Sequence, residues 1–293
     1  MQVIDMGVQI ITDSGCDLPQ HIIDEFNITM LPLVVTIHDR EEYDRKTIQP
    51  VQLYNQMREG AAPKTSQVPP LLVREAFQQY AKENTPCVYI TLSSGLSGTY
   101  QTAELIRKEV MEEFPDAELS VIDSQCASLG FGLVVYQAAK RAKEGGSFDD
   151  VINTAEYCKN HTEHIFTVDD LEYLLRGGRV SKTQAMMGSL LKIKPVLHMK
   201  DGKLFPIEKI RGKKKVFGRM IELMKERGTD LSDQIIGISH ADDQEAANSL
   251  KEMIKAETGC EQIMISMIGC AIGSHAGPGT IAMFFMTKPY TDA

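Results

Sequence analysis

The sequence predicts an α/β fold: an N-terminal, largely parallel sheet with helices on both faces, then a C-terminal α+β domain with a mixed or antiparallel sheet. Two observations carry this. Up to about residue 161, short β-rich runs alternate with helical patterns, as in a parallel sheet with crossover helices. From about His164 onward hairpin signals mix with helices instead. No internal repeat relates the halves, so they read as two domains, 1–161 and 162–293.

The elements follow in order. VQIIT (8–12) is a short apolar run ending in DSGCDLP, where Asp17 reads as the cap of a helix with Pro19 in its first turn. ITMLPLVVTI (28–37) reads as a second strand, and PVQLYNQMREG (50–60) as a helix closed by Gly60. The loop AAPKTSQVPP (61–70) gives way to the helix LLVREAFQQYAKE. The β-rich CVYITL (87–92) runs into the loop SSGLSG and the helix TYQTAELIRKEVMEEF (99–114), in which Leu105, Ile106 and Val110 are expected to share the buried face. LSVIDS (119–124), the helix CASLGFGLVVYQAAKRAKEG (126–145) and the helical SFDDVINTAEYCKNH (147–161) complete the first half.

In the second half IFTVDD reads as a strand, DLEYLLRGGRV as a helix ending at a glycine pair, and SKTQAMMGSLLKI as another helix. PVLHMKDGKLFPIEKI (195–210) is a hairpin with Asp201-Gly202 as its tight turn. The helix KKKVFGRMIELMKERG, the strand IIGISH, the helix DDQEAANSLKEMIKAETG and two strands around CAIGSHAGPG follow.

At 293 residues, with 43% hydrophobic and 24% charged residues, the composition is that of a soluble globular protein. A net charge of -9 argues against nucleic acid as the main partner, which calls for a basic face. The N-terminus shows no signal peptide and no window reaches membrane-span length. Six scattered cysteines without a CxxC pair read as reduced thiols of a cytoplasmic protein, with no disulfide frame or zinc site. His161 and His164 form an HxxH without a third ligand, so no metal is assigned.

DSGCD and SSGLSG both follow a strand and precede a helix, where parallel sheets bind ligands. Gly95, Ser97 and Gly98 lead into the helix starting near Thr99, whose free amides and dipole favour a small anion. The loop is neither a Walker loop nor GxSxG, and it reads equally as a serine-capped turn. Thr65-Ser66 is a second hydroxyl cluster, with an N-cap as its alternative reading. Two such clusters suit a carboxylate, which accepts several hydrogen bonds without a metal.

ITDSGCDLP, KTSQ, ITLSSGLSGTYQTA, VIDS, LEYLLRGGRV and GPG (277–279), in that order along the chain, resemble the DegV family, the fatty-acid-binding subunits of the bacterial fatty acid kinase system. The resemblance implies a carrier without a catalytic centre or cofactor. Such a carrier holds one long-chain fatty acid with its carboxylate at the N-terminal domain and its acyl chain buried, mostly by the C-terminal one. It further implies an ATP-dependent kinase that makes the acyl phosphate and an acyltransferase that uses it in phospholipid synthesis. By match to the family motifs, Thr65 and Ser97 are expected to bind the carboxylate, with backbone help from Gly98 and Thr99. His275, in the IGSHAGPG turn, would stand in the hydrogen-bond network behind the head group, and Arg179 beside it.

Arg176 and Gly177 are accounted for by a helix C-terminus alone, and His240 is read as structural. In IRGKKKVFGR, the resemblance makes Arg211 a partner contact, and with Lys213 to Lys215 it is expected to meet the kinase or, transiently, an anionic membrane. Candidate tunnel walls are residues 185–193, 263–269 and 281–286. At roughly 0.8 kcal/mol per methylene, a chain of about sixteen carbons supplies of order ten kcal/mol before entropy costs, so the polar site need only orient it. The competing readings are a serine esterase using Ser97 with His275, and a binder of small phosphorylated metabolites.

Overall fold

The computed structural model describes residues 7–180 and 193–291. The first sheet is wholly parallel, in the order β2 (Thr29–Leu31), β1 (Gln9–Asp13), β6 (Cys87–Thr91), β7 (Leu119–Asp123). The chain leaves β1 in one direction through α1 (Gln20–Glu25) and leaves β6 in the other through α4 (Thr99–Glu113). Right-handed crossovers therefore put helices on both faces, and the switch point between β1 and β6 opens a crevice at their C-terminal ends.

The second sheet is mixed, in the order β10 (Lys203–Arg211), β9 (Ile193–Lys200), β8 (Thr162–Thr167), β13 (Ile281–Met286), β11 (Ile236–His240), β12 (Ile263–Met267). Only β11 and β12 pair in parallel. The Asp201-Gly202 turn has φ of 49° and 72°, the left-handed pair that a two-residue hairpin needs. Between the sheets lies α5 (Ser128–Lys143), buried on nearly every side over its first twelve residues and packed against β1, β8, β11 and β13. A helix apolar all round belongs between two layers.

The pleat sorts β8 and β13 into two cores. Phe166, Ala282 and Phe284 face α5 and the first sheet. Ile165, Ile281, Met283 and Phe285 face away, toward α8 (Lys213–Arg227) and α9 (Gln244–Thr258).

Four expectations are corrected. Residues 28–37 are not one strand: the chain breaks at Pro32-Leu33, β2 joins the parallel sheet, and β3 (Val34–Ile37) centres a small antiparallel sheet with β4 (Arg40–Tyr43) and β5 (Lys64–Ser66). A proline lacks the amide that a continuous ladder needs. KTS is thus a strand, not a loop. Asp17 does not cap α1, since Pro19 holds that position and the Asp17 side chain turns inward. Leu105 is 59% exposed, because it is one residue, or about 100°, from buried Ile106.

Hydrogen bonds tie the halves together. Asp44 accepts from the Cys270 and Ala271 amides, at 2.8 and 3.1 Å, and from the Ser14 hydroxyl at 3.0 Å. It thereby caps α10 (Cys270–Ala276) from a distant loop. Asp17 accepts from Gly269 N and Ser128 Oγ, and Tyr54 donates to the Ile268 carbonyl. All six cysteines are buried free thiols, and no helix among the described residues is long and apolar enough to cross a membrane.

Candidate functional site

A cavity of about 180 Å³ opens at the crevice beyond β1 and β6 and runs along the face of β8 and β13. Its apolar lining includes Leu33, Leu92, Phe166, Leu174, Ala282 and Phe284. The helix α10 contributes a stripe, Ala271, Ile272, His275 and Ala276, whose four-residue spacings keep one face on the cavity. His275 therefore lies in the last turn of a helix rather than in the turn expected from IGSHAGPG.

The polar residues gather at one end. Thr65 lies in β5, fixed by pairing with Val35 of β3, and its hydroxyl is 2.6 Å from His275 Nε2. Burial, and then the charges of Arg179 and Arg176, push the His275 pKa down to about 4, so the ring is neutral at pH 7. Nδ1 is buried without a hydrogen-bond partner among the described residues and lies against Gly177. Which atom donates in the Thr65–His275 bond depends on the ring's tautomer. With the proton on Nε2, the ring donates and the Thr65 hydroxyl proton is left for another acceptor. Gly177 is required by this packing, because a Cβ would sit 2.1 Å from Nδ1.

Ser97 is arranged alike. Its Oγ accepts from Thr99 N at 3.3 Å and lies 2.9 Å from Thr99 Oγ1, which itself accepts from Val68 N at 3.4 Å. When the Thr99 hydroxyl is the donor of that pair, the Ser97 O–H is left to donate into the cavity. Gly98 is the N-cap of α4 and lines the cavity. Thr99 does not line it; buried behind Ser97, it positions that hydroxyl instead of offering its amide.

Arg179 follows α7 (Glu172–Arg176) and its C-terminal Gly177, and donates to the Leu96 and Gly177 carbonyls at 3.1 and 2.7 Å. The guanidinium is half-buried, which lowers its pKa, and it pairs with no carboxylate among the described residues. A partly desolvated cation without a counter-ion favours an incoming anion. Arg179, Gln67, Leu96, Ser97 and Gly98 also line a shallow recess on the surface, so the polar end is the mouth of the cavity.

DSGCD holds no such site. Asp13 accepts the Gly15 and Leu92 amides at 3.0 and 2.8 Å, which uses up the donors an anion would need. Of the expected tunnel walls, Ala282, Phe284 and Ile268 line the cavity; residues 185–192 lie outside the described residues, as does the Ile193 side chain. Arg211 ends β10, nine residues from the hairpin tip and so about 30 Å along the strand. The tip itself docks at the mouth loop, where Ser93 Oγ donates to the Gly202 carbonyl at 2.8 Å. Lys213 opens α8, and its side chain lies outside the described residues.

Sequence reasoning missed Gln67, His164 and Phe166 as lining residues. His164 had signalled only a metal motif, and no cluster able to hold a metal occurs among the described residues. His240 is structural: Nδ1 accepts from Asp243 N at 3.2 Å. His164 Nε2 accepts from Ala127 N at 3.1 Å, and burial pushes its pKa down to about 4. The folded chain therefore binds fewer protons than the unfolded one between about pH 6.5 and 4, and this stability is lost as pH falls through that window.

Unfolding titrations should show wild type losing roughly 3 kcal/mol more than His164→Gln over that range. Asp13 and Asp17, raised by burial to about 7, contribute the opposite slope, which is common to both proteins. Equal slopes would contradict a neutral buried His164.

Residues 7–288 match the family model described as "Uncharacterised protein, DegV family". A DegV domain-containing protein of Clostridium perfringens is 41% identical over 280 residues, covering 94% of this chain and 96% of that one. Two solved structures share the fold across the whole length. A fatty-acid-binding DegV family protein from Thermus thermophilus has a TM-score of 0.87 at 31% identity, covering 96% of this chain and 99% of its own. DegV of Bacillus subtilis, a fatty acid binding protein, has a TM-score of 0.84 at 30% identity, covering 96% and 100%. In sequence and in fold alike, this chain belongs to the DegV family.

Proposed function

We propose that this chain is a carrier of one long-chain fatty acid. The observation that carries the reading is the division of one cavity into an apolar body and a mouth with two hydroxyls and an arginine that pairs with no carboxylate among the described residues. Thr65 and Ser97 each donate to one carboxylate oxygen, Arg179 supplies the counter-charge, and His275 and Thr99 hold the two hydroxyls from behind. Gly98 lets the head group approach the start of α4. Residues 1–161 supply most of this mouth, and 162–293 most of the wall along which the acyl chain lies. Structural relatives at 30% and 31% identity that bind fatty acids support the assignment.

The carboxylate then stands beside the surface recess, open to a separate ATP-dependent kinase. Its oxygen attacks the γ-phosphorus, the bond to ADP breaks, and the acyl phosphate passes to an acyltransferase for phospholipid synthesis. Arg179 offsets the added negative charge. The chain supplies no catalytic residue of its own, so purified protein with ATP alone should form no acyl phosphate. The esterase reading is disfavoured because Ser97 Oγ bonds to Thr99 and His275 Nε2 to Thr65, leaving no serine–histidine pair.

Arg211 and Lys213 serve the partner, kinase or anionic membrane, rather than the ligand. Arg211→Ala should keep full fatty acid occupancy while slowing the kinase reaction about tenfold; an emptied cavity would contradict the assignment. The head-group site is tested by titrating delipidated protein with stearic acid and with methyl stearate. Esterification removes the charge that Arg179 recognises, so the ester should bind at least about tenfold more weakly. Equal affinities would overturn a carboxylate site.

A further inference from the structure

We infer that Ser93 is a positioning residue through which the β9–β10 hairpin tip sets where Ser97 stands relative to Arg179, a conclusion that rests on the carrier reading above. Ser93 is fully buried, lies outside the cavity lining, and is the hub of the loop that carries Ser97. Its carbonyl accepts from the Leu96 and Ser97 amides, both at 3.0 Å, and its own amide donates to the Cys126 carbonyl at 3.1 Å. Its hydroxyl accepts from Gly95 N at 3.2 Å and donates to the Gly202 carbonyl at 2.8 Å. The Ser97 amide is therefore engaged within the loop, and the place of the Ser97 hydroxyl follows that of Ser93.

The loop is held from two sides. On the side of the first sheet, Asp123 at the end of β7 accepts from Ser94 N at 2.9 Å. On the other side the hairpin comes so close that position 95 has room only for glycine. A Cβ there would lie 2.4 Å from the Gly202 carbonyl oxygen and 3.0 Å from Lys203 Cγ. Two residues past Gly202, Leu204 lines the cavity and bridges Val180, the residue after Arg179. Arg179 in turn donates to the Leu96 carbonyl, inside the loop. Ser93, Gly202, Leu204, Val180, Arg179 and Leu96 thus close a ring of contacts that ties the hydroxyl and the cation of the mouth to one element. The hairpin is itself anchored in the second sheet, where Val196, Leu197 and His198 pair with β8. Hydrogen bonds weaken steeply as they bend, so freeing the loop from the tip misaligns the head-group contacts while the apolar wall stays in place.

The test titrates delipidated full-length Ser93→Ala and Gly95→Ala with stearic acid and with methyl stearate. The first removes the hydroxyl that joins loop and tip, and the second pushes the tip away. Each should bind stearic acid about tenfold more weakly than wild type and methyl stearate as wild type does, so that discrimination between acid and ester falls. Ester binding also reports that the cavity is folded, which a general loss of structure would not leave intact. Because both changes act on one contact, the double variant should be no weaker than the weaker single one. Stearic acid binding at the wild-type level, or equal losses of acid and ester, would overturn the positioning role and leave the carrier reading standing. If wild type takes up neither ligand, the carrier reading fails and this inference with it.

Discussion

Thr65→Val and Ser97→Ala should each weaken fatty acid binding about tenfold to a hundredfold, and the double variant should leave the purified protein almost empty. In the proposed site each hydroxyl donates to the carboxylate, Thr65 backed by His275 Nε2 and Ser97 by Thr99. Removing either therefore takes one charge-assisted hydrogen bond from the carboxylate, worth roughly 1.5–3 kcal/mol, and leaves His275 or Thr99 one partner short. The acyl chain keeps its burial in both single variants, so affinity falls without vanishing. Titration with stearic acid measures this. Wild-type affinity in both single variants would remove the carboxylate from the mouth altogether.

Asp44→Ala carries the largest expected cost to stability. Asp44 is fully buried and accepts from two amides of α10 and from Ser14, across more than two hundred residues of chain in the first case. Burial raises its pKa, and the three donors hold it in place. Alanine leaves all three donors without partners, at roughly 1–3 kcal/mol each, so a loss of about 3–5 kcal/mol is expected after partial relaxation. Asp44→Asn keeps one acceptor oxygen and should lose about half as much. Since α10 also carries His275, the alanine variant should release fatty acid at temperatures where the protein is still folded. Denaturant unfolding with and without ligand separates the effects; a loss below about 1 kcal/mol would mean that α10 does not depend on its distant cap.

Much of this architecture is legible in the sequence because local signals agree with the global fold. The βα alternation before residue 161 gives the parallel sheet, Asp201-Gly202 gives the hairpin, and SSGLSG marks the strand-to-helix turn at the switch point. What escapes sequence is what depends on pairing across the chain. Thr65 looks like a loop residue until β3 pairs with β5, and β3 exists as a separate strand only because Pro32 breaks the run before it. CAIGSHA is too short, and too closely flanked by Gly269 and Gly277, to read as a helix, and it is held as one by Asp44 from another part of the molecule. His164 shows the same limit. Its sequence context is an HxxH without a third ligand, to which no role could be given, whereas pairing opposite Phe284 and the Ala127 amide place it in the cavity lining.

The most direct test of the carrier reading is native mass spectrometry of delipidated protein after incubation with excess stearic acid. Wild type should gain one mass, that of a single stearic acid, and the Thr65→Val, Ser97→Ala double variant almost none. An unchanged wild-type mass, or equal loading of the double variant, would contradict the carrier reading.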